Sequence, residues 1–459
     1  MGQRSQQRGA DTAKEGDGAW GGVLEIGSRG IRLMTIRDPH AVLDEVRGIW
    51  RSSRSGENMT YGGRESMKET VLLNTLSIFR EGPDAAYVNS KRWRLQRNTL
   101  VNKIQKMLRT HRELWGLRPE RVLAFATGDL RCTVDLFKDF ADVARGRLGL
   151  TVFRLAPTLE ARLSACGFLT AALNDSQHSD VDHMVTVDMG GSTLDYCLLT
   201  RRQDEGEIAK DKTWESTLDG SSMLLKRKMT PDGWQIAAEG SIALGFYRNI
   251  WKTILGAILA DPSMDARTVV RLAESLCHEH LDSYFSTHGL PFPYNYPAAE
   301  NDTLSTGWVC WGGTYLARID KRPLWTRGHL VDLYEADKKE FLASGDSLLA
   351  EVRLVEGRGH AWTAPAVYKK DRGLQSALLR LVSLHVAAKL CDVFACQRVF
   401  VQRILLRHVV AALHSAGMGS IRRVIKRQER RYLQTKRRAR KQREEGLGRS
   451  VPAEETVDT

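Results

Sequence analysis

The sequence has little of what would cross a membrane or direct a chain out of the cell. No run in its 459 residues approaches the roughly 18 uninterrupted apolar residues that a membrane helix needs. Residues 1–19 have no apolar segment of the kind found in secretory signals, and we expect them to be disordered. The sequence therefore predicts a cytoplasmic protein without membrane contact.

Cysteine is scarce and shows no framework pattern. The seven cysteines are an odd number, and no two of them are separated by only two residues. A disulfide framework is not expected, and we interpret the cysteines as reduced, mostly buried thiols. Cys277–His280 has metal-ligand residue types, but it lies in a helical pattern without a second half, which argues against zinc.

Acidic residues are nearly absent from one stretch near the end of the chain. Of the formal net charge of +13, residues 421–443 carry +11, from twelve lysines and arginines and one acid, Glu429. We therefore assign residues 416–459 to a basic tail, helical or disordered. Such a run is often only a solvated helix. The alternative is non-specific contact with nucleic acid or another polyanion, without base reading because Tyr432 is its only aromatic residue.

The rest of the sequence predicts a mixed α/β protein of two or three domains. Apolar alternation predicts two short strands around a Gly-Ser turn near the start, and a hairpin is predicted to turn at residues 231–233. Further strands are predicted at 122–126, 151–155 and 184–187, and helices at 72–115, 136–148, 160–173 and, as two helices, 374–413.

Three glycine-containing turns follow apolar strands. They are EIGSRG at residues 25–30, DMGGST at residues 188–193 and WGGT at residues 311–314. The first two have an acid at the strand end and lead back into a second strand, so their tips would expose backbone N–H groups that can bind phosphate. Glu25 and Asp188 would then lie where a carboxylate can hold Mg²⁺. The alternative is a pair of plain hairpins.

Six segments, in order over about residues 23–413, carry a family resemblance. They are VLAFATGDLRCT, LTVFRLAPTLEARLSACGF, DMGGSTLD, EGSIALGFYRNIWKTI, VCWGGTYLARI and RVFVQRILLRHVV. Together they resemble the exopolyphosphatase/guanosine pentaphosphate phosphatase family, whose fold is that of the actin-like ATPases. DMGGSTLD is also similar to the phosphate loop of the chaperone ATPases.

The resemblance implies two actin-like (ribonuclease H-like) domains whose mixed sheets flank a phosphate-binding cleft. Domain I would cover residues 20–132, and domain II residues 133–415 with helices at its C-terminal end. The implied activity is Mg²⁺-dependent hydrolysis of phosphoanhydride bonds in inorganic polyphosphate or a phosphorylated guanine nucleotide. A homodimer is left open.

The resemblance also implies a set of site residues. Glu160 would be the general base, although a glutamate in a first helical turn is also favoured by the helix dipole alone. Asp188 and Asp195 would hold Mg²⁺ and the scissile phosphate, and Arg131 would clamp a phosphate. Glu25 would share the metal with Asp188. The implied phosphate-binding residues are Gly27, Ser28, Arg29, Thr127, Gly190, Gly191, Ser192, Thr193 and Gly313.

Three departures from the family pattern leave the activity open. Arg29 replaces an asparagine, Pro157 replaces a glycine, and Asp195 is shorter than the usual glutamate. The chain is then either a working hydrolase or a catalytically impaired sensor that binds a nucleotide or alarmone. A chaperone-type ATPase is disfavoured because no substrate-binding β domain is visible.

Overall fold

The protein has a mixed α/β fold built around two β-sheets. This confirms a mixed α/β fold with two mixed sheets, whereas the arrangement in two actin-like domains and their boundaries remain predictions. The computed structural model describes residues 21–27, 30–36, 66–69, 88–132, 134–172, 181, 183–201, 234–288, 307–312, 316–319, 324–357, 373–402, 410, 423–427, 429–430, 434 and 438.

The first sheet has five strands in the order β3-β2-β1-β4-β5. Strands β1 to β3 are antiparallel neighbours, whereas β4 and β5 continue the sheet in parallel with β1. The strands are β1 (Gly21–Gly27), β2 (Gly30–Ile36), β3 (Ser66–Glu69), β4 (Val122–Ala126) and β5 (Val152–Arg154).

The second sheet has six strands in the order β10-β11-β9-β6-β7-β8. They are β6 (His183–Met189), β7 (Leu194–Arg201), β8 (Trp234–Ile242), β9 (Trp308–Gly312), β10 (Leu324–Thr326) and β11 (Arg398–Gln402). Strands β6 to β8 are antiparallel, β9 and β11 run parallel to β6, and β10 adds an antiparallel edge. Apart from that edge, the second sheet repeats the plan of the first, although the sequence shows no repeat.

Helices pack on the faces of both sheets. They are α1 (Lys91–Trp115), α2 (Gly128–Cys132), α3 (Val134–Leu148), α4 (Pro157–Ala172), α5 (Lys252–Ala260), α6 (Ala266–His288), α7 (Leu316–Ile319), α8 (Arg327–Gly357) and α9 (Leu374–Val393). A 3₁₀ turn covers Pro119–Arg121, and a π-helical segment, Phe246–Trp251, leads into α5.

Three clusters of buried side chains follow from this layering. Leu24 on β1 points to the face covered by α1 and α3, whereas its neighbour Val23 points to the opposite face. On that opposite face, both sheets and α4 share one cluster. The third cluster lies between the second sheet and helices α5, α6, α8 and α9. Because β1 is buried on both faces, its sequence is mostly apolar, and Glu25 is its only charged residue.

Helix α1 illustrates how local sequence sets an element's ends. The side chain of Ser90 accepts a hydrogen bond from the backbone N–H of Trp93 at 3.0 Å, and Gly116 ends the helix with a φ of 65°. These are a serine N-cap and a left-handed glycine C-cap. The predicted helix is correct from residue 91 onward, and its residues 72–87 lie outside the described residues, as do the predicted hairpin turn at 231–233 and residues 1–19.

The prediction of two helices over residues 374–413 is wrong at residues 398–402, which form a strand, while residues 403–409 and 411–413 lie outside the described residues. Helix α9 ends at Val393, the chain turns at Ala395 with a φ of 50°, and β11 follows. Strand β11 lies between β9 and β10, and its Val399 and Val401 are buried. This strand pairs on both of its edges, and β-branched residues suit such a central strand. The pairing outweighs the helical spacing of apolar residues that continues from α9.

The tail is also more closely attached than predicted. The backbone is helical at residues 423–427 and 429–430, and Ile425 is fully buried in the cluster shared by the two sheets. The expectation that this segment offers the core almost nothing to bury is therefore wrong at Ile425. A single apolar side chain among many charges is a weak signal in sequence.

Two negative expectations can be compared with the described part of the chain. None of its helices combines the length and apolar character of a membrane-spanning segment. Six cysteines are free and buried, as predicted: Cys166, Cys197, Cys277, Cys310, Cys391 and Cys396.

Candidate functional site

The first hairpin, β1–β2, presents an ion pair next to its turn. Glu25 and Arg32 are directly opposite in the register, two residues from either end of the turn between Gly27 and Gly30. Arg32 Nη1 donates to Glu25 Oε1 at 2.8 Å. Glu25 is buried, while the Arg32 side chain keeps 27% exposure. The hairpin therefore places one carboxylate and one partly exposed guanidinium on the same face.

The second hairpin, β6–β7, presents two carboxylates at the equivalent position. Asp188 and Asp195 are opposite each other in the register, with the turn Gly190–Thr193 between their strands. Asp195 is buried, and Asp188 is partly buried. Like charges directly opposite in a sheet are destabilising unless a cation compensates them.

Arg131 supplies that cation. It lies on α2, which follows β4 after Thr127, and it is fully buried. Its Nη2 donates to Thr193 Oγ1 at 3.2 Å and makes a long contact of 3.5 Å with Asp195 Oδ2. Its Nη1 donates to the carboxylate of Glu160. One guanidinium thus connects the first sheet to the turn of the second.

Glu160 lies in the first turn of α4, which begins at Pro157. Proline suits the first position of a helix, where its missing N–H needs no partner, so Pro157 is compatible with this start. The N-terminal end of the helix favours the negative charge of Glu160. The helix thus holds the carboxylate against Arg131.

The environment of Glu160 raises its pKa well above the ordinary value. Burial is the main cause, and the nearby carboxylates of Asp195, Asp188 and Glu25 add to it, while Arg131 opposes it. A carboxyl with a raised pKa accepts a proton more readily near neutral pH than an exposed glutamate does.

The pKa of Asp188 is also raised. Burial, followed by Asp195 and Glu25, raises its pKa to about 7, and Arg32 and Arg131 act in the opposite direction. Asp188 in turn helps to raise the pKa of Arg32. These mutual effects place the ends of the two hairpins at one site, with four carboxylates and two guanidinium groups.

The turn of the second hairpin is held from behind by the chain that follows β8. Gly190 N–H donates to the carbonyl of Thr193 at 2.8 Å. The backbone N–H groups of residues 246–248 donate to the carbonyls of Gly190 and Gly191. Gly245 approaches so closely that a Cβ there would lie 2.0 Å from the carbonyl carbon of Ser192. The turn is therefore supported on its carbonyl side.

The remaining predicted residues lie around these groups. Thr127 is buried, its N–H donates to Ile26 O at 2.9 Å, and a Cβ on Gly27 would lie 3.5 Å from its Oγ1. Gly312, the residue before the predicted Gly313, pairs with Asp188. Ser28, Arg29 and Gly313 lie outside the described residues.

Sequence reasoning missed two contributors to this site, Arg32 and Gly245. Arg32 could have been found from the hairpin itself, because a turn between Gly27 and Gly30 forces residues 25 and 32 to be opposite. Gly245 lies in one of the resembling segments, but its contact with Ser192 depends on tertiary packing and leaves no local signal.

The donor set can be compared with the needs of Mg²⁺. Within the described ranges, no three His, Cys, Asp or Glu side chains are grouped as ligands of a metal ion. Mg²⁺, however, is commonly held by one or two carboxylates together with water and substrate phosphate. The carboxylates outnumber the guanidinium groups, and Asp195 Oδ1 is buried without a hydrogen-bond partner among the described residues. These residues fit such an ion, and the metal-binding role of Glu25 and Asp188 stays a prediction.

No family model and no curated protein matches the chain. Among solved structures, it is similar to a Ppx/GppA family member from Aquifex aeolicus, at 13% identity over 87% of this chain and 98% of that one, with a TM-score of 0.48. It is also similar to an exopolyphosphatase from Cytophaga hutchinsonii, at 12% identity over 86% and 97%, with a TM-score of 0.44. An exopolyphosphatase-like protein is similar at 12% identity over 86% and 99%, with a TM-score of 0.45. These are structures of the family that the sequence motifs resemble.

Proposed function

We propose that this protein is a Mg²⁺-dependent phosphoanhydride hydrolase that removes the terminal phosphate of inorganic polyphosphate or of guanosine pentaphosphate. The observation that carries the proposal is the position of Glu160. This buried carboxyl, whose pKa is raised in part by Asp188, is bonded to Arg131, which also bonds to Thr193 in the turn proposed to hold phosphate. A proton acceptor next to a phosphate cradle is what water attack on phosphorus requires.

The reaction would use Glu160 as the base. Arg131 contacts Glu160 Oε2, so Oε1 is the oxygen that would take a proton from water. The water oxygen bonds to the terminal phosphorus, and the bridging P–O bond breaks with its electron pair leaving on the bridging oxygen. Orthophosphate and a chain shortened by one phosphate are released. When bound, Mg²⁺ would offset the negative charge on the phosphate oxygens.

Other residues would position the phosphate. The turn Gly190–Thr193 would offer backbone N–H groups after Gly190, whose own N–H already donates to Thr193 O, and the support by residues 245–248 would keep the turn in place. Arg131 is already bonded to protein acceptors, which suits a positioning residue better than the clamp expected from the resemblance. Arg32, with its partial exposure, is better placed to reach a phosphate oxygen.

A second candidate function is the catalytically impaired sensor, and the same ion pair favours it. Arg131 holds Glu160 in a buried contact, and Asp195 is engaged by both Arg131 and Thr193. If these contacts persist with ligand bound, Glu160 cannot shift toward a water. The site would then bind a nucleotide or alarmone without turnover.

One experiment separates the two candidates. Phosphate release from polyphosphate, guanosine pentaphosphate and ATP is measured with and without Mg²⁺, and binding of each is measured by calorimetry. Turnover that requires Mg²⁺ supports the hydrolase. Tight binding without turnover supports the sensor, which further predicts some activity in the double variant Arg29→Asn, Asp195→Glu. A protein that neither binds nor hydrolyses the three compounds contradicts both candidates.

A further inference from the structure

The C-terminal basic segment forms a helix that is attached to the body of the protein. Its backbone is helical at residues 423–427, 429–430, 434 and 438. Ile425 is fully buried in the cluster shared by the two sheets, where Phe153 of β5 is another member, and Val424 packs against that cluster. Removing this side chain from water stabilises the attachment of the helix. The helix is thus held in place by one of its faces.

A polar contact reinforces the attachment. Glu429 lies one helical turn after Ile425, and its carboxyl interacts with the charge of Arg154 and with the backbone of the same residue. Arg154 ends β5, the edge strand of the first sheet. The helix is therefore attached at the edge of the first sheet.

The opposite face of the helix is exposed and positively charged. We call it the basic stripe, and it consists of Arg423, Lys426, Arg427, Arg430 and Arg438. At 100° per residue these positions share one side of a helix, turned away from Ile425 and Glu429. Arg423 and Arg430 are about 10 Å apart along a helix axis at a rise of about 1.5 Å per residue. Since the chain outside residues 421–443 carries only +2 of the total of +13, residues 421–443 carry most of the net positive charge of the protein.

We propose that the basic stripe binds the phosphate backbone of a nucleic acid without reading its bases. Arg423, Arg427 and Arg430 follow one another at about one helical turn, roughly 5 Å. A sugar separates successive phosphates in a nucleic acid, whereas those of inorganic polyphosphate share an oxygen and lie much closer. The charge spacing therefore suits a nucleic acid better. The stripe carries no aromatic side chain on which a base could stack.

The test compares two variants of the full-length protein that lose the same charge. The first variant, Arg423→Gln, Arg427→Gln and Arg430→Gln, removes three of the five charges of the basic stripe. In the second, Lys106→Gln, Arg109→Gln and Arg112→Gln remove exposed charges from α1, which packs on the other face of the first sheet. Binding of a labelled single-stranded RNA of mixed sequence is followed by fluorescence anisotropy at several salt concentrations.

We expect the stripe variant to bind about tenfold or more weakly at low salt, with the slope of log K against log salt reduced by about 2. The α1 variant should stay within about threefold of the wild type. Equal losses in both variants, or no binding of RNA by the wild type, would overturn the proposal. The proposal would also be overturned if inorganic polyphosphate bound more tightly than RNA and its binding were weakened equally in the stripe variant, since that result would assign the surface to the inorganic polymer. Unchanged melting temperatures verify that the variants are folded.

Discussion

Arg131 on α2 and Glu160 on α4 form a buried ion pair, and the same guanidinium reaches Asp195 on β7. Each partner comes from a different element, so the pair fixes the mutual position of α2, α4 and the second hairpin. Removing one partner of such a pair leaves an uncompensated buried charge, which costs more than the net contribution of the intact pair.

The first prediction concerns this cation. We expect Arg131→Leu to lower the free energy of unfolding by about 3–5 kcal/mol at pH 8, because two buried carboxylates lose their compensating charge. The loss should be smaller at pH 5, because the pKa of Glu160 is raised and its carboxyl can then be buried in the protonated form. Urea unfolding at the two pH values measures both effects. As a control, Arg97→Leu breaks a partly exposed pair with Asp139 and should cost about 1 kcal/mol or less. A cost that does not change with pH would show that Arg131 acts through packing alone.

The second prediction assigns the base. Glu160→Gln keeps the size of the side chain but cannot accept a proton, so turnover should fall ~10²–10⁴-fold while ligand affinity stays within a few-fold. The control Glu351→Gln alters an exposed glutamate of α8, outside the acidic cluster. It should leave the rate close to that of the wild type. Turnover by Glu160→Gln at the wild-type rate would show that another group activates water.

The third prediction follows from the pKa of Asp188, which is raised from an ordinary value of 3.8 to about 7. Between these values the folded state binds more protons than the unfolded state, so stability falls as pH rises from about 4 to about 7. The effect should be on the order of 2 kcal/mol, reduced by the partial exposure of Asp188 to water. Urea unfolding across this range should be less pH-dependent in Asp188→Asn. The exposed-residue control Asp142→Asn should retain the wild-type profile, and an unchanged profile in Asp188→Asn would remove Asp188 as the cause.

The chemistry of the site was more predictable from sequence than its contacts. The strand–acid–glycine pattern located Glu25 and Asp188, and hairpin symmetry alone would have placed Arg32 opposite Glu25. The Arg131–Glu160 contact joins two helices that follow different strands, so it depends on the order of the strands in the sheet. That order is set by long-range pairing, which periodicity does not record. For the same reason β11 was predicted as a helix, and the burial of Ile425 was not foreseen.

The fourth prediction tests the attachment of the C-terminal helix. Ile425→Ala removes apolar atoms from a fully buried position and should destabilise the protein by about 2–4 kcal/mol. Lys426→Ala, at the exposed neighbouring position, should change stability by less than about 0.5 kcal/mol. Thermal and urea unfolding of the two variants give the comparison. Equal and small effects would mean that the helix contributes nothing to the core.

The last prediction concerns the support of the phosphate turn by Gly245. A Cβ at this position would lie about 2 Å from backbone atoms of Ser192, a distance that only movement of the turn or of the following helix can relieve. Gly245→Ala should therefore displace the turn Gly190–Thr193 and weaken phosphate-ligand binding tenfold or more, since the backbone donors lose their alignment. Gly256→Ala is the matched control, because a Cβ there meets nothing within 4 Å. It lies within α5, where alanine is favoured over glycine by about 1 kcal/mol, so it should stabilise slightly and leave binding unchanged. Calorimetric titration with a phosphate ligand and thermal unfolding of both variants separate the effect on the site from the effect on the fold.

If Gly245→Ala binds the ligand as well as Gly256→Ala does, the turn is not the phosphate cradle, and the candidate site must be built from the first hairpin instead.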